Sequence, residues 1–400
     1  MQNIRIMNIL FVLQSFPTYG GIAVVTNVLA NRFVKDGHHV TTASFNIRHP
    51  ELKNQLDDSI DLIPLKSKPV LCQENKRILH EAVVQRKIDV IINQWGLPFT
   101  TTMLCKRAIK GTNCKLVSVL HGSPYTSKTL LRTGDKLKAA NNVLSKLFYK
   151  LLFNLKSQVI KFSTRYDCRN NERYILLSKG FIKPLIDYAH VKDSSNVIAI
   201  GNPMTIPVEL DGFSLENKKK QILYVGRMDY ENKRVNRIVE AWEEIWKKYP
   251  DWELVLVGEG PDKDMFTNYV EQHQIGNVRF EGFHPEPPIK YYKDASILML
   301  TSDLEGFGLV IIEGMIYGVV PIVYGSYEAV YDIIRDGISG FITPQPYSKG
   351  KTIEKMEYLI NHETERKNMA KQAMIDASHF TLDSIVSIWY KTLDDVIKGK

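Results

Sequence analysis

Short runs of apolar, often β-branched residues alternate with amphipathic stretches along the whole chain. Within the stretch 234–249 the apolar residues recur with the 3.6-residue period of a helix. The strand-like runs lie at 8–13, 40–44, 90–93, 116–120, 174–178, 197–200, 221–225, 253–257, 278–283, 297–300, 321–323 and 340–342. Strands that are apolar throughout are buried on both faces, as in parallel sheets covered by helices. The alternation therefore predicts an α/β fold of doubly wound sheets.

The alternation restarts near Gln221, after a polar segment at 202–220 that contains prolines and resembles a linker. A chain of 400 residues is also long enough for two or three domains. We predict an N-terminal domain at 1–203 and a C-terminal domain at 204–380. A last segment, 381–400, carries a separate helical pattern that could pack on either domain.

Composition excludes several classes of protein. Hydrophobic residues make up 44% of the chain and charged residues 24%, as in ordinary globular proteins. Cysteines are scattered without a C-x-x-C pair, which excludes zinc ribbons and disulfide frameworks and fits a reducing cytosol. The longest apolar runs are the length of strands, so we expect neither a transmembrane segment nor a signal peptide.

The positive charge is concentrated in one segment. Residues 128–169 contain ten lysines and arginines against Asp135 and Asp167, which equals the net charge of +8. The chain has no known DNA- or RNA-binding motif in or near this basic segment, so we do not expect it to bind nucleic acid. A single basic segment predicts instead that one surface of the protein faces an anionic partner. From Leu137 to Ile160 apolar residues recur at helical spacing between lysines. Two interpretations stay open: a helix with its apolar face on the core, or an amphipathic helix on an anionic cytoplasmic membrane face.

Familiar phosphate and metal motifs are absent. The chain has neither a P-loop nor an H-E-x-x-H motif, and Pro261 interrupts the only partial dinucleotide fingerprint, at 258–260. Asp262-Lys263-Asp264 spells the D-x-D that some sugar transferases use to hold a metal. The position after Gly260-Pro261 favours the first turn of a helix, where acidic side chains complement the dipole. We therefore predict no metal site.

Candidate ligand-binding residues follow the predicted strands, at the edge of an open sheet where ligands collect and helix N-termini attract anions. Gly20 and Gly21 come after the first strand. They could allow close approach to a phosphate, or they could form a plain turn with a helix cap. His121 follows the strand at 116–120, and its imidazole could face a ligand or cap a helix. Arg227 and Lys233 follow the strand at 221–225, where they could clamp a diphosphate or form surface salt bridges.

Two glutamates follow the strand at 297–300. Glu305 falls at the strand tip, and Glu313 falls inside an otherwise apolar helix. A carboxylate in that setting needs a hydrogen-bonding partner, and the vicinal hydroxyls of a sugar or ribose would serve.

These pieces occur in the order found in one family. The chain resembles a retaining glycosyltransferase of family 4, with the GT-B fold of two Rossmann-like domains facing across a cleft. The most specific motif is E-x7-E at 305–313, together with Tyr224-Val225-Gly226-Arg227, Lys233 and the segments 257–261 and 337–341. The family often has glycine at the position of Arg234 and alanine at that of Gly314.

The resemblance implies a hexosyl transfer that needs no metal or other cofactor, from a nucleotide sugar that is most commonly UDP-linked. Gly20 and Gly21 would approach the diphosphate, and Arg227 and Lys233 would neutralise it. Glu305 would bind the donor sugar. The remaining implied donor and catalytic contacts are Gly306, Phe307, Gly308 and Leu309 around the sugar, Glu313 at the ribose, Phe283 at the nucleobase and His121 near the transferred sugar.

The resemblance also implies the partners and location of the enzyme. The acceptor would be a glycan or a lipid-linked acceptor in bacterial cell-surface polysaccharide or lipopolysaccharide synthesis, bound on the N-terminal domain. The final helix would cross back onto that domain, and the protein would be cytoplasmic with a peripheral contact on the inner face of the membrane. Two alternatives stay open: a nucleotide-sugar epimerase of GT-B type and a nucleotide-sugar-binding protein without turnover.

Overall fold

Within residues 5–399, which the computed structural model describes, thirteen strands form two sheets in which all neighbouring strands are parallel. One unit runs up to Pro203 and includes the segment from Ile385 onward, and the other comprises Met204–Ser384. The C-terminal helix thus passes from the second unit into the first.

The first unit contains a seven-stranded sheet in the order β3-β2-β1-β4-β5-β6-β7. Its strands are β1 (Asn8–Leu13), β2 (His39–Ser44), β3 (Asp61–Pro64), β4 (Val90–Asn93), β5 (Lys115–Leu120), β6 (Arg173–Leu176) and β7 (Val197–Ala199). Its helices are α1 (Gly21–Lys35), α2 (Gln73–Gln85), α3 (Phe99–Ala108), α4 (Lys128–Ala139), α5 (Val143–Asn170) and α6 (Ile182–Ala189). The order reverses between β1 and β4, as in doubly wound folds.

The second unit contains a six-stranded sheet in the order β10-β9-β8-β11-β12-β13, which reverses between β8 and β11. Its strands are β8 (Lys219–Val225), β9 (Glu253–Val257), β10 (Val278–Gly282), β11 (Ala295–Leu300), β12 (Val320–Tyr324) and β13 (Phe341–Thr343). Its helices are α7 (Val235–Ile245), α8 (Lys263–Gln272), α9 (Ile289–Asp294), α10 (Leu309–Ile316), α11 (Ala329–Ile333), α12 (Lys349–Asn361) and α13 (Glu363–Ser378). Helix α14 (Leu382–Lys398) follows.

The predicted α/β class with doubly wound sheets is confirmed, and each of the twelve predicted strands is present with ends shifted by at most two residues. The apolar pattern succeeds because the inner strands are buried on both faces, as in β1 and β11. The sequence missed β3, since this edge strand is short and begins and ends on exposed residues. An edge strand pairs on one side only and needs no continuous apolar run.

The predicted helical pattern from Leu137 to Ile160 is divided between two helices, and the interpretation that places its apolar face on the core is wrong for most of its length. The chain breaks after α4, and Asn142 caps a new helix by accepting a hydrogen bond from the backbone N–H of Ser145 at 2.7 Å. Only the last part of α5 packs into the unit, where Ile160 and Cys168 are buried. From Val143 to Val159 the apolar side chains are largely exposed, so they do not cover the core.

Candidate active site

The loops that follow β8 and β11 form the centre of the candidate site in the second unit. The two strands are neighbours, and the sheet order reverses between them, so the loops diverge and leave a crevice at the carboxyl edge. Arg227 and Lys233 lie on the loop after β8, and Glu305 lies on the loop after β11.

Lys233 and Glu305 contact each other directly. The ammonium of Lys233 donates a hydrogen bond to Oε1 of Glu305, and the side chains are 26% and 13% exposed. A partly buried pair of this kind is screened less by water than a surface pair, so each charge holds the other in place. The structure thus joins two residues to which the sequence assigned separate tasks.

Asp303 holds the two loops together. Its carboxylate accepts hydrogen bonds from Nε of Arg234 at 2.5 Å and Nη1 of Arg237 at 2.6 Å. Its backbone N–H donates to the carbonyl of Asn232 at 2.8 Å, and the hydroxyl of Thr301 donates to the carbonyl of Arg234 at 3.0 Å. These bonds fix the segment that carries Lys233 relative to the segment that carries Glu305.

The backbone of Arg234 is left-handed, with φ 53° and ψ 43°, immediately before α7. Glycine adopts this conformation freely, whereas a residue with a Cβ incurs about 1 kcal/mol of strain. This explains why the similar family often has glycine here. In this chain the ion pair with Asp303 fixes the arginine side chain and offsets part of that strain.

Of Arg227 and Lys233, Arg227 is the more exposed. Its side chain is 61% exposed, and Nε lies 3.8 Å from Oδ2 of Asp229. The backbone beside it is anchored, because the hydroxyl of Tyr224 donates to the carbonyl of Arg227 at 2.7 Å. An anchored backbone with an exposed guanidinium suits recognition of an anion at the crevice.

The glycines after β9 serve packing. A Cβ on Gly258 would lie 2.0 Å from the carbonyl oxygen of Gly226, and one on Gly260 would lie 2.0 Å from that of Met228. Only glycine allows the loops after β8 and β9 to approach this closely. Asp262 precedes α8 and Asp264 lies in its first turn, as the helix interpretation predicted.

Gly308 adopts φ 91° at the start of α10, and Tyr327, on the loop after β12, lies beside it. A Cβ at Gly308 would lie 2.7 Å from the Tyr327 hydroxyl. Tyr327 is 2% exposed, and its hydroxyl has no hydrogen-bond partner among residues 5–399. Burial, together with the nearby charge of Glu305, raises the pKa of Tyr327 well above its usual value. Sequence reasoning missed this tyrosine, although it also follows a strand end, that of β12.

Glu313 is buried within α10. Its Oε1 accepts a hydrogen bond from the hydroxyl of Thr205 at 2.5 Å, and its Oε2 accepts one from the hydroxyl of Tyr292 at 3.1 Å. Burial raises the pKa of this carboxyl. The partner that the sequence argument required is therefore present as two protein hydroxyls. Phe283 follows β10 with its ring 51% exposed, a position suited to stacking.

The first unit has a cluster of its own, at the ends of β4 and β5. Nε2 of His121 forms a hydrogen bond with Oε1 of Gln94, a residue that the sequence analysis did not single out. Burial lowers the pKa of His121 to about 4, so the imidazole is neutral at physiological pH. With the amide oxygen facing it, Nε2 carries the proton and Nδ1 is an acceptor.

Gly20 stands at the N-cap of α1, on the loop after β1. The space next to Gly20 is open, because a Cβ on this residue would lie more than 4 Å from all the described atoms around it. Helix α1, which begins at Gly21, has no side-chain cap and no acidic residue in its first turn. Its first N–H groups therefore attract anions.

The chain has two doubly wound units, each with charged or glycine-rich loops where its strand order reverses. This is the two-domain α/β class called GT-B. The family described as Glycosyl transferases group 1 matches residues 209–375, and Glycosyltransferase Family 4 matches residues 19–199. The chain belongs to the group 1 glycosyltransferases of family 4.

Known proteins are similar over most or part of the chain. An uncharacterized glycosyltransferase of Haemophilus influenzae is 23% identical over 385 residues, which cover 95% of this chain and 98% of that protein. The lipopolysaccharide 1,6-galactosyltransferase of Salmonella typhimurium is 25% identical over 171 residues, which cover 42% and 46%. The structure of Anabaena HepE in complex with UDP and glucose has a TM-score of 0.72 at 16% identity, and the match covers 97% of this chain and 100% of HepE.

Proposed function

We propose that this glycosyltransferase moves a hexosyl unit from a UDP-sugar to a glycan or lipid-linked acceptor, with retention of configuration and without a metal. The observation that carries the proposal is the Lys233–Glu305 pair, with the exposed Arg227 on the same loop as Lys233, at the strand-order reversal of the second sheet. UDP and glucose in the similar Anabaena structure support the donor class, and the Salmonella relative supports a role in lipopolysaccharide synthesis.

The diphosphate is the group on which charge develops as the glycosidic bond breaks. Arg227 and Lys233 would supply positive charge to it, and the N–H groups of Gly20 and Gly21 at the start of α1 would add theirs. Fixed positive charge of this kind does what a divalent cation does in other transferases.

The sugar would lie against the loop before α10. Glu305 would accept hydrogen bonds from its hydroxyls, with Gly306, Phe307, Gly308 and Leu309 around it. Because Glu305 would be engaged by the Lys233 ammonium and by the sugar hydroxyls, it is poorly suited as a nucleophile. This favours attack of the acceptor on the same face from which the diphosphate leaves, without a covalent intermediate.

The remaining predicted site residues would bind the nucleoside and the transferred sugar of the donor. Phe283 would stack on the nucleobase, and Glu313 would accept a ribose hydroxyl through a lone pair that Thr205 and Tyr292 leave unused. The neutral His121 would contact the transferred sugar by hydrogen bonding without adding charge.

The decisive experiment measures nucleoside diphosphate release from a panel of nucleotide sugars, with and without a lipid-linked acceptor. A transferase releases UDP in proportion to the acceptor added, whereas an epimerase converts the donor without acceptor. A binding protein without turnover releases no UDP, although nucleotide sugars raise its melting temperature in a thermal-shift screen. A ligand at 100 times its dissociation constant raises the free energy of unfolding of the protein by about 2.7 kcal/mol, so the screen detects binding readily.

We place the enzyme in the cytoplasm, with a peripheral contact at the inner face of the membrane through residues 128–169. Within residues 5–399, none of the helices has both the length and the apolar composition needed to cross a bilayer.

A further inference from the structure

Two buried polar groups of the first unit lack partners at the carboxyl ends of β4 and β5. The amide nitrogen of Gln94 and the hydroxyl of Ser123 have no hydrogen-bond partner among the residues that the structure describes. Gln94 follows β4 and is 2% exposed, and Ser123 lies on the loop after β5 and is 3% exposed. A buried donor without a partner is costly, because it has lost its hydrogen bonds to water. A ligand at this edge of the sheet would supply the partner.

The backbone that carries Gln94 is anchored on both sides. Its N–H donates to the carbonyl of Val12 on β1 at 2.9 Å. The N–H of Gly96 donates to the carbonyl of Val119 on β5 at 3.1 Å, and the hydroxyl of Tyr174 donates to the carbonyl of Gly96 at 2.9 Å. A Cβ on Gly96 would lie 2.5 Å from the Val119 carbonyl oxygen, so only glycine allows this approach. Gln94 is therefore fixed where the strand order reverses, between β1 and β4.

The hydrogen bond between Gln94 and His121 leaves one donor and one acceptor for a ligand. The amide oxygen of Gln94 faces Nε2 of His121, so Nε2 keeps the proton and Nδ1 can accept. The amide nitrogen of Gln94 carries two N–H donors. An uncharged donor and acceptor suit neighbouring hydroxyls of a sugar, since a hydroxyl both donates and accepts. An ionised phosphate has no proton to donate, so it would leave Nδ1 unpaired.

We propose that Gln94 is a sugar-binding residue that also positions His121. Its amide N–H2 donates to a hydroxyl of a sugar, and its amide oxygen fixes the tautomer in which Nδ1 of His121 accepts from the same sugar. The inference rests on the proposed function, which offers two sources of that sugar, the hexosyl group of the donor and a sugar of the acceptor. Ser123, on the same loop as His121, offers a further hydroxyl.

NMR of the full chain with 15N-labelled histidine tests the positioning role. Wild type at neutral pH should show His121 protonated at Nε2 alone, with its signals assigned by their loss in His121→Phe. Gln94→Glu places a carboxylate opposite Nε2, so both ring nitrogens should be protonated at the same pH. Unchanged His121 signals in Gln94→Glu would overturn the proposal. The measurement needs no substrate, so it decides even if the proposed transferase activity is wrong.

Calorimetry tests the sugar contact by comparing UDP with UDP-glucose, UDP-galactose and UDP-N-acetylglucosamine. Gln94→Met keeps an unbranched side chain but removes both amide groups. If the donor supplies the sugar, this variant should bind the nucleotide sugar about tenfold more weakly and UDP as well as wild type. The matched control is Thr164→Val on α5, which also removes a buried hydroxyl that has no partner in the described part of the chain. It should bind both ligands like wild type.

The acceptor is the alternative source of the sugar. In that case Gln94→Met should bind nucleotide sugars normally, and its KM for the lipid-linked acceptor should rise about tenfold in the UDP-release assay. Unchanged values in both assays would overturn the sugar contact, and so would an equal loss of UDP and nucleotide-sugar binding. If wild type binds nucleotide sugars but releases no UDP with acceptor, the proposed function fails while the binding and NMR results on Gln94 stand.

Discussion

The ammonium of Lys233 donates a hydrogen bond to the carboxylate of Glu305, across 72 residues of sequence and between the loops that follow β8 and β11. The pair combines a cation suited to a diphosphate with a carboxylate suited to sugar hydroxyls. Substrate binding would therefore meet two groups that are already positioned and partly desolvated.

Glu305→Gln should reduce glycosyl transfer by several orders of magnitude, because the amide accepts sugar hydroxyls weakly and no longer holds Lys233 in place by an ion pair. The measurement is acceptor-dependent UDP release, with circular dichroism to verify the fold. Glu244→Gln is the matched control, since Glu244 forms an exposed ion pair with Lys349 in the same unit. Near-normal transfer in the Glu305 variant would contradict the assignment.

Transfer should survive a metal chelator. Arg227 and Lys233 supply the positive charge that a divalent cation would otherwise supply to the leaving diphosphate. The measurement compares UDP release in chelator with release in added manganese or magnesium. Loss in chelator that either metal restores would return Asp262 and Asp264 to consideration as ligands.

Arg234→Ala should be less stable than Arg234→Gly by about 1 kcal/mol. Both variants lose the ion pair with Asp303, but only alanine keeps a Cβ in the left-handed conformation. Urea unfolding of the two variants measures this difference directly. Equal stabilities would show that the backbone at this position carries no strain.

Tyr327→Phe should leave thermal stability unchanged or raise it, because the mutation removes a buried hydroxyl that has no partner among the described residues. If the donor supplies that partner, the same variant should show a higher KM for the nucleotide sugar. Steady-state kinetics and a melting curve separate the two effects. An unchanged KM would exclude the hydroxyl from donor binding.

His121 should make stability fall with acidification. Its folded pKa of about 4 lies below the usual value of 6.5, so the unfolded chain binds more protons between these two pH values. The free energy of unfolding should therefore decrease as pH falls from about 6.5 toward 4. In His121→Phe the slope over this window should be shallower than in wild type. His38, whose pKa burial also lowers, contributes equally to both proteins.

Local pattern was sufficient to predict the two doubly wound sheets and the loops that carry Arg227, Lys233, Glu305 and His121. The reason is that a strand buried on both faces must be apolar throughout, and polar residues after such a strand must lie at the carboxyl edge of the sheet. The apolar runs along the chain therefore indicate which strands are buried, and the polar residues that follow them indicate which loops lie at the carboxyl edge. The short edge strand β3 escaped because it is not subject to that constraint.

Tertiary structure decided how those loops meet. No pattern in the sequence shows that Lys233 pairs with Glu305, that Asp303 pairs with Arg234, or that the hydroxyl of Tyr327 lies beside Gly308. The apolar period of α5 likewise predicted a helix face but not whether anything covers it. Periodicity records which side chains share a face, whereas exposure and pairing depend on which distant segments pack against that face.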